Sequence, residues 1–155
     1  SDDELVGFLQ GSLSRAGFQR TPDETARKVV NAMRERITFP NDIFDKAQFF
    51  FKRPGSYDEA VLAKKMNDQA SAALTSYANQ LATAGPLSAD KAKEILEKVT
   101  AEMGMKPGQV LQVLRVALTG DAAGPDLMLT IEIIGGTEAA ARIRQAVATR
   151  AGKVA

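Results

Sequence analysis

The sequence predicts an all-α protein. Apolar residues recur at helical spacing in several segments, as at Ala26, Val29, Val30 and Met33, which follow the i, i+3, i+4, i+7 pattern of a helix with one buried face. Helix start signals precede several of these segments. The sequence contains no Asn-Gly or Asp-Gly pair, the usual sign of a two-residue hairpin turn. We therefore expect about nine short helices and no strand pair.

The first part of the chain predicts three helices. A helix over residues 3–15 is followed by a second one, for which Thr21 is the predicted cap because Glu24 stands at the capping-box spacing. An aromatic-rich segment at 44–51 separates this helix from a third, for which Ser56 is the predicted cap. Pro and Gly residues stand at these breaks, as expected between helices.

The second part predicts further helices, of which the longest is Ala-rich and covers 68–84. Ser88 is the predicted cap of the next helix, and an almost wholly apolar helix covers 109–118. Residues 127–134 are rich in Ile and Leu, and periodicity alone leaves both a short strand and a buried helix open. Thr137 is the predicted cap of the last helix. We expect two helical subdomains, residues 1–64 and 65–155.

Composition excludes several kinds of chemistry. The 155 residues include no His and no Cys, which rules out Cys and His metal sites, a thiol nucleophile and an imidazole base. Twenty basic and nineteen acidic residues give a net charge of +1, so the chain is not a strongly basic nucleic-acid binder, although a local basic face stays open. The chain has no apolar run of about 18 residues and an acidic start unlike a signal peptide. We expect a cytoplasmic protein without membrane contact, and, since it does not begin with Met, a part of a longer one.

Binding is better supported than catalysis. Arg115 is the only charge in its apolar helix, and two interpretations fit this position. In the first, the aliphatic stem packs on the core while the charged head reaches water. In the second, the guanidinium is held at the edge of the core, where it can bind a phosphate or a base. The apolar residues of the loop at 124–128 either enter the core or offer a surface to an unstacked base. Arg34 and Arg36 bracket Glu35, which favours a surface ion pair.

Two other groups of charges have simpler interpretations. The neighbouring carboxylates fit helix starts and solvated faces better than acid–base catalysis; they are Asp42 with Asp45, and Asp58 with Glu59. The last helix holds basic residues with no acid among them, which predicts a modest basic tail; they are Arg142, Arg144, Arg150 and Lys153.

Three short stretches stand in a distinctive order. The first is 34–38 with 44–51; the second is 104–110 with 114–120; the third is 124–127 with 134–135 and 142–143. Together they resemble the C-terminal anticodon-binding domain of bacterial glutamate–tRNA ligases (glutamyl-tRNA synthetases) over about residues 34–148. The resemblance implies a two-part, all-helical cage that reads the tRNA anticodon loop, with residues 127–134 forming a helix.

The resemblance also implies roles for single residues. Arg36 stands where the family's arginine recognises the third anticodon base, a C in glutamate tRNAs, and Arg115 stands at the anticodon pocket. The remaining implied contacts to the bases come from one loop; they are Gly124, Pro125, Leu127 and Met128. Unpaired anticodon bases can be splayed out and read at their edges, and arginine can both donate to a base edge and stack on its face.

The chain departs from the family at three positions. Gly124 stands where the family often has Thr, which removes a hydroxyl that could contact a base. Met128 stands in place of an aromatic residue and offers a softer, less directional platform. Gly136 replaces a Lys, which removes one expected phosphate contact.

The resemblance further implies that the parent is a class I ligase that attaches glutamate to tRNA with ATP and Mg in a catalytic domain outside this chain. The His-Ile-Gly-His-like signature of that domain requires histidine, so this fragment carries no catalytic centre and no cofactor. We expect a monomer whose partner is glutamate tRNA, not DNA. The rival interpretations are a helical protein–protein interaction module and a free-standing enzyme, the second of which the composition disfavours.

Overall fold

The fold is described from a computed structural model, which covers the backbone of residues 2–154 and the side chains of residues 2–150. Within these residues the chain forms α-helices and short 3-10 turns and no strand, which confirms the all-α prediction. The α-helices are α1 (Asp2–Arg15), α2 (Asp23–Met33), α3 (Ile43–Ala47), α4 (Glu59–Lys65), α5 (Asp68–Thr83), α6 (Ala89–Glu102), α7 (Leu111–Thr119), α8 (Leu127–Ile134) and α9 (Gly136–Val154). No helix among the described residues is long and apolar enough to cross a membrane.

The chain divides into two compact units, residues 1–52 and residues 53–155. In the first unit, α1 packs against α2 and α3. The apolar positions with helical spacing on α2, Ala26, Val29 and Val30, are fully buried, as their periodicity predicts. Leu9 of α1 and Ile43 of α3 also lie in this interior.

The second unit is built around the pair α5 and α9, with α6, α7 and α8 packed around them and α4 packed on α7. Its largest fully buried side chain is Tyr77, whose hydroxyl donates to the Ala92 carbonyl at 2.8 Å. This bond satisfies a polar group that would otherwise be costly to bury. Burial raises the pKa of Tyr77, because the phenolate would be poorly solvated there.

The units divide between Lys52 and Arg53, twelve residues before the predicted boundary at 64 and 65. The difference arises because α4 belongs to the second core: Leu62 and Met66 are buried there. The break in pattern near residue 65 is only the short connection between α4 and α5, and it marks no change of core.

Helix starts agree with the sequence at one of the four predicted caps and differ at three. The Ser88 hydroxyl accepts from the Lys91 amide at 3.1 Å, as predicted. Ser56 is not a cap, because the helix begins three residues later and the Asp58 carboxylate accepts from the Val61 amide at 3.1 Å. The last helix begins at Gly136, which places Thr137 inside its first turn.

The predicted cap at Thr21 is also wrong. Helix α2 has no side-chain cap, and Pro22 precedes its first residue. Instead, the Gln10 side chain donates to the Thr21 carbonyl at 2.7 Å and accepts from the Thr21 amide at 3.3 Å. A side chain from α1 thus accepts from the Thr21 amide, the group that Glu24 would bind in a capping box.

Candidate nucleic-acid interface

Arg115 lies on α7 at the edge of the second unit's core. Its neighbours Leu114 and Val116 are fully buried, whereas Arg115 itself is half-buried. Its Nη1 donates to the Pro125 carbonyl at 2.6 Å. The guanidinium is therefore held in place at the core edge. Of the two arrangements that the sequence leaves open, this one differs from a side chain whose head only reaches into water.

The loop between α7 and α8 is anchored at its start. Gly120 ends α7 with a positive φ of 87°, and a Cβ there would lie 2.6 Å from the Ser56 carbonyl oxygen. The Asp58 amide donates to the Gly120 carbonyl at 2.9 Å, which joins this loop to the start of α4. A local hydrogen bond also stabilises the start of the loop: the Asp121 amide donates to the Thr119 hydroxyl at 3.3 Å. These bonds fix the backbone that leads to Pro125.

Gly124 lies directly against the Arg115 guanidinium. A Cβ at this position would be 2.9 Å from Nη1 of Arg115, which is closer than a Cβ normally approaches another atom. The absence of a side chain at residue 124 therefore leaves room for the guanidinium to reach Pro125. The position of the Arg115 guanidinium therefore depends on a glycine at residue 124.

Leu127 and Met128 begin α8 and face the protein interior to different degrees. Leu127 is 6% exposed and belongs to the core cluster. Met128 is half-buried, and its sulfur accepts from the Tyr77 hydroxyl at 3.9 Å. Asp126 caps α8 by accepting from the Leu129 amide at 3.0 Å. The structure thus resolves the ambiguous segment 127–134 as a helix, and it selects the core position for Leu127.

Arg36 lies in the first unit, on a 3-10 turn over Arg34–Arg36. It is exposed, and its carbonyl accepts from Lys46 Nζ at 3.0 Å. Among the described residues, the Arg36 guanidinium has no hydrogen-bond or ion-pair partner. Its neighbour Arg34 forms a surface ion pair with Asp2, not with the adjacent Glu35.

A charged network in the second unit escaped the sequence analysis. Arg142 was expected in a basic tail, but its side chain is only 2% exposed, and it donates to Glu138 at 2.8 Å and to the Leu118 carbonyl at 2.9 Å. Arg53 donates to the same carboxylate at 2.9 and 3.0 Å. The signal was present, since Glu138 and Arg142 are four residues apart on one helix face.

This network has electrostatic consequences. The hydrogen bonds from Arg53 and then Arg142 hold the pKa of the Glu138 carboxyl below its usual value, against the effect of partial burial. Because Arg142 binds the last turn of α7, it also braces the helix that carries Arg115. Of the other residues in the predicted tail, Arg144 is exposed and bonds to Asn79 at 3.0 Å, whereas the Lys153 side chain lies outside the described residues.

The structure thus brings Arg115, Gly124 and Pro125 into contact, with Leu127 buried beneath the loop. Arg36 belongs to the other unit. Chemically, a fixed guanidinium supplies directional donors for a base edge or a phosphate. No cluster of three or more His, Cys, Asp or Glu side chains that could hold a metal occurs among the described residues, and the sequence contains no histidine.

Comparison with known proteins extends this description. A family model for the anticodon binding domain matches residues 5–147. A glutamate–tRNA ligase of Cytophaga hutchinsonii is 39% identical over 127 residues, which is 81% of this chain and 25% of that protein. A glutamate–tRNA ligase of Amoebophilus asiaticus is 34% identical over 146 residues, covering 94% of this chain and 28% of that protein.

A solved structure gives the same result. The crystal structure of a glutamate tRNA ligase from Elizabethkingia meningosepticum, in complex with its amino acid, matches 96% of this chain and 29% of its own, with a TM-score of 0.87 and 28% identity. The chain therefore spans between 25% and 29% of the length of these relatives. On the match over residues 5–147, this chain belongs to the anticodon-binding domain family and is similar to that part of glutamate–tRNA ligases.

Proposed function

We propose that this chain reads the anticodon loop of a glutamate tRNA, as the tRNA-recognising part of a glutamate–tRNA ligase. The rest of such an enzyme would activate glutamate with ATP and Mg and transfer it to the tRNA. The observation that carries the proposal is the guanidinium of Arg115, fixed against the Pro125 carbonyl at the half-exposed edge of a core. The family match and the relatives' names support the same function.

Within this proposal the six candidate residues have different roles. Arg115 donates to a base or phosphate of the loop, and Gly124 and Pro125 supply the adjacent backbone. Leu127, being buried, supports the loop from the core side, and half-buried Met128 has only part of its surface left for a base. Arg36 reads the third anticodon base, because an exposed guanidinium without a partner among the described residues keeps its donors for a base edge.

The test is a titration of the 155-residue chain with a glutamate tRNA transcript and with a transcript that carries G in place of C at the third anticodon position. We expect the wild-type chain to bind the first more tightly. Arg36→Ala should remove about 1–3 kcal/mol of this discrimination while leaving the affinity for the mutated transcript nearly unchanged.

The matched control is Arg20→Ala, which removes an exposed arginine of the same unit that already pairs with Asp23 at 2.8 Å. It should leave discrimination intact. If Arg36→Ala weakens both transcripts equally, Arg36 contacts phosphate and reads no base. If the wild-type chain does not distinguish the two transcripts, the anticodon proposal fails and a protein–protein interaction module becomes the better interpretation.

A further inference from the structure

Phe39 is an unusually exposed aromatic residue. It is 65% exposed, whereas the next most exposed large hydrophobic among the described residues, Leu111, is 39% exposed. Single apolar side chains on a surface are common and need no explanation by themselves. Phe39 differs from such residues in two ways: its backbone lies in an anchored turn, and an arginine and a cavity adjoin its ring.

The backbone of Phe39 is fixed on both sides of the ring. Its amide donates to the Asp42 carboxylate at 3.3 Å, and its carbonyl accepts from the Asp42 amide at 2.9 Å. Pro40 follows directly and restricts the next φ angle. Ile43, fully buried, then starts α3 and anchors this turn to the core of the first unit. A turn anchored in this way presents the ring to solvent without a large entropic cost on binding.

The surroundings of the ring combine cations with an open cavity. Arg36 is three residues before Phe39, so the Cα atoms of Arg36 and Phe39 are separated by at most about 10 Å. Ile37 and Phe39 both have extended backbone angles. A cavity of about 220 Å³ adjoins Phe39 and is lined by residues 37–40, Arg34, and Glu4 and Leu5 of α1. It is smaller than the ~300–1,000 Å³ pockets that enclose whole small molecules, and it suits the edge of one planar group.

We propose that the Phe39 ring is a stacking platform for an unpaired base of a bound tRNA anticodon loop. The inference rests on the proposed function and adds to it a second mode of contact on the first unit. Aromatic side chains bind single-stranded bases through their π-faces regardless of sequence, and nearby arginines hold the backbone or a base edge. Arg36 would identify a base while Phe39 supports the same or the neighbouring nucleotide.

The absence of tryptophan from the chain allows a direct test of stacking. Phe39→Trp places a single indole at this position, and we expect its fluorescence to be quenched when an anticodon stem-loop of glutamate tRNA is added. Arg20→Trp, at an exposed position of the same unit that the proposed function does not use, is the control and should show no quenching. Emission from Phe39→Trp that does not change at saturating RNA overturns the proposal.

Affinities for the same stem-loop separate aromatic stacking from simple hydrophobic contact. Phe39→Ala and Phe39→Leu should both weaken binding between about fivefold and a hundredfold, and Phe39→Tyr should stay within about twofold of wild type. Arg20→Ala should have no effect. Because Phe39 is exposed, these variants should keep the wild-type circular dichroism spectrum.

The failures can be told apart. If the wild-type chain binds the stem-loop in an anticodon-dependent way but Phe39→Ala and Phe39→Leu bind equally well, only this inference is wrong. If Phe39→Leu keeps full affinity while Phe39→Ala loses it, the contact is hydrophobic without stacking, which also contradicts the inference. If Phe39→Ala alters only self-association in sedimentation experiments, the ring is a protein contact. If the wild-type chain shows no anticodon dependence, the proposed function fails and this inference fails with it.

Discussion

Arg115 and Gly124 lie against each other although nine positions separate them in the sequence. The guanidinium reaches the Pro125 carbonyl at 2.6 Å only because residue 124 has no side chain in its path. The sequence indicated that each residue belongs to the candidate site, but it could not show that they touch, because contact depends on how α7 and the following loop fold back on each other.

This coupling predicts the effect of Gly124→Ala. The new methyl group would meet the end of a flexible side chain, so we expect the free energy of unfolding to change by less than about 0.5 kcal/mol. The guanidinium would move away from Pro125, and affinity for the anticodon stem-loop should fall severalfold. Titrations of the variant and of wild type measure this fall.

The control is a double-mutant cycle with Arg115→Ala. In the absence of the guanidinium, Gly124→Ala should have almost no further effect on affinity. Equal losses in both backgrounds would show that the glycine acts independently of Arg115.

At the scale of single elements, helix α9 joins several parts of the second unit through Glu138. This carboxylate accepts from Arg53, which precedes α4, and from Arg142, which in turn donates to the end of α7. Arg142 shows the limit of pattern-based analysis. A cation within a helix normally predicts a solvated face, and only the tertiary structure shows that this one is buried with a partner for its charge.

The depressed pKa of Glu138 predicts a pH-dependent effect of Glu138→Gln. In the unfolded chain the carboxyl titrates with the ordinary pKa of a glutamate, and in the folded chain it stays ionised to lower pH. Its contribution to stability is therefore complete above the unfolded pKa and is lost as pH falls through the folded pKa. We expect the variant to be about 1.5–3 kcal/mol less stable at pH 7, and we expect this difference to shrink as pH falls below the unfolded pKa, in urea unfolding followed by circular dichroism.

Glu102→Gln is the matched control, since Glu102 is an exposed carboxylate of the same unit. It should follow the wild-type profile throughout. A difference between Glu138→Gln and wild type that does not shrink as the pH is lowered would mean that the network acts through shape and not through charge.

The start of α9 gives a packing prediction. A Cβ on Gly136 would collide with the Leu81 carbonyl oxygen and lie 3.2 Å from the carbonyl carbon, so the glycine allows α9 to approach α5 closely. Gly136→Ala should therefore destabilise the protein by about 1–3 kcal/mol, as overpacking does. Gly108→Ala, where a Cβ meets nothing within 4 Å, should change stability little under the same thermal or urea unfolding. Equal effects of the two substitutions would contradict the close approach.

The helix ends show which parts of an element can be predicted from sequence. Ser88 caps its helix as the local pattern predicts, and Glu132 of α8 accepts from the adjacent Ala89 amide. Thr21 does not cap α2, and its amide donates to Gln10 of α1, a non-local partner that the local pattern cannot show. Residues 127–134 were ambiguous because a short apolar run fits a strand and a buried helix equally, and the choice of a helix depends on the core formed by α6 and α9.

At the scale of the whole molecule, charge is evenly divided. Residues 1–52 hold eight basic and eight acidic residues, and residues 53–155 hold twelve and eleven. Several arginines are also already paired with carboxylates: Arg34 with Asp2, Arg27 with Asp3, and Arg53 and Arg142 with Glu138. Neither unit is a generally basic surface, so binding of tRNA must depend on a few placed side chains.

This distribution predicts a weak dependence of tRNA binding on salt. Each phosphate contact contributes about −0.7 to the slope of log affinity against log salt for a single strand, so four or fewer contacts give a slope no steeper than about −3. The ratio of affinities for glutamate tRNA and the transcript mutated at its third anticodon position should stay constant across the same salts, because base contacts carry the discrimination and phosphate contacts do not. Titrations at several salt concentrations between 50 and 200 mM test both statements. A slope steeper than about −5 with a ratio that collapses at high salt would show that the chain binds chiefly the phosphate backbone, and that its arginines do not read the loop.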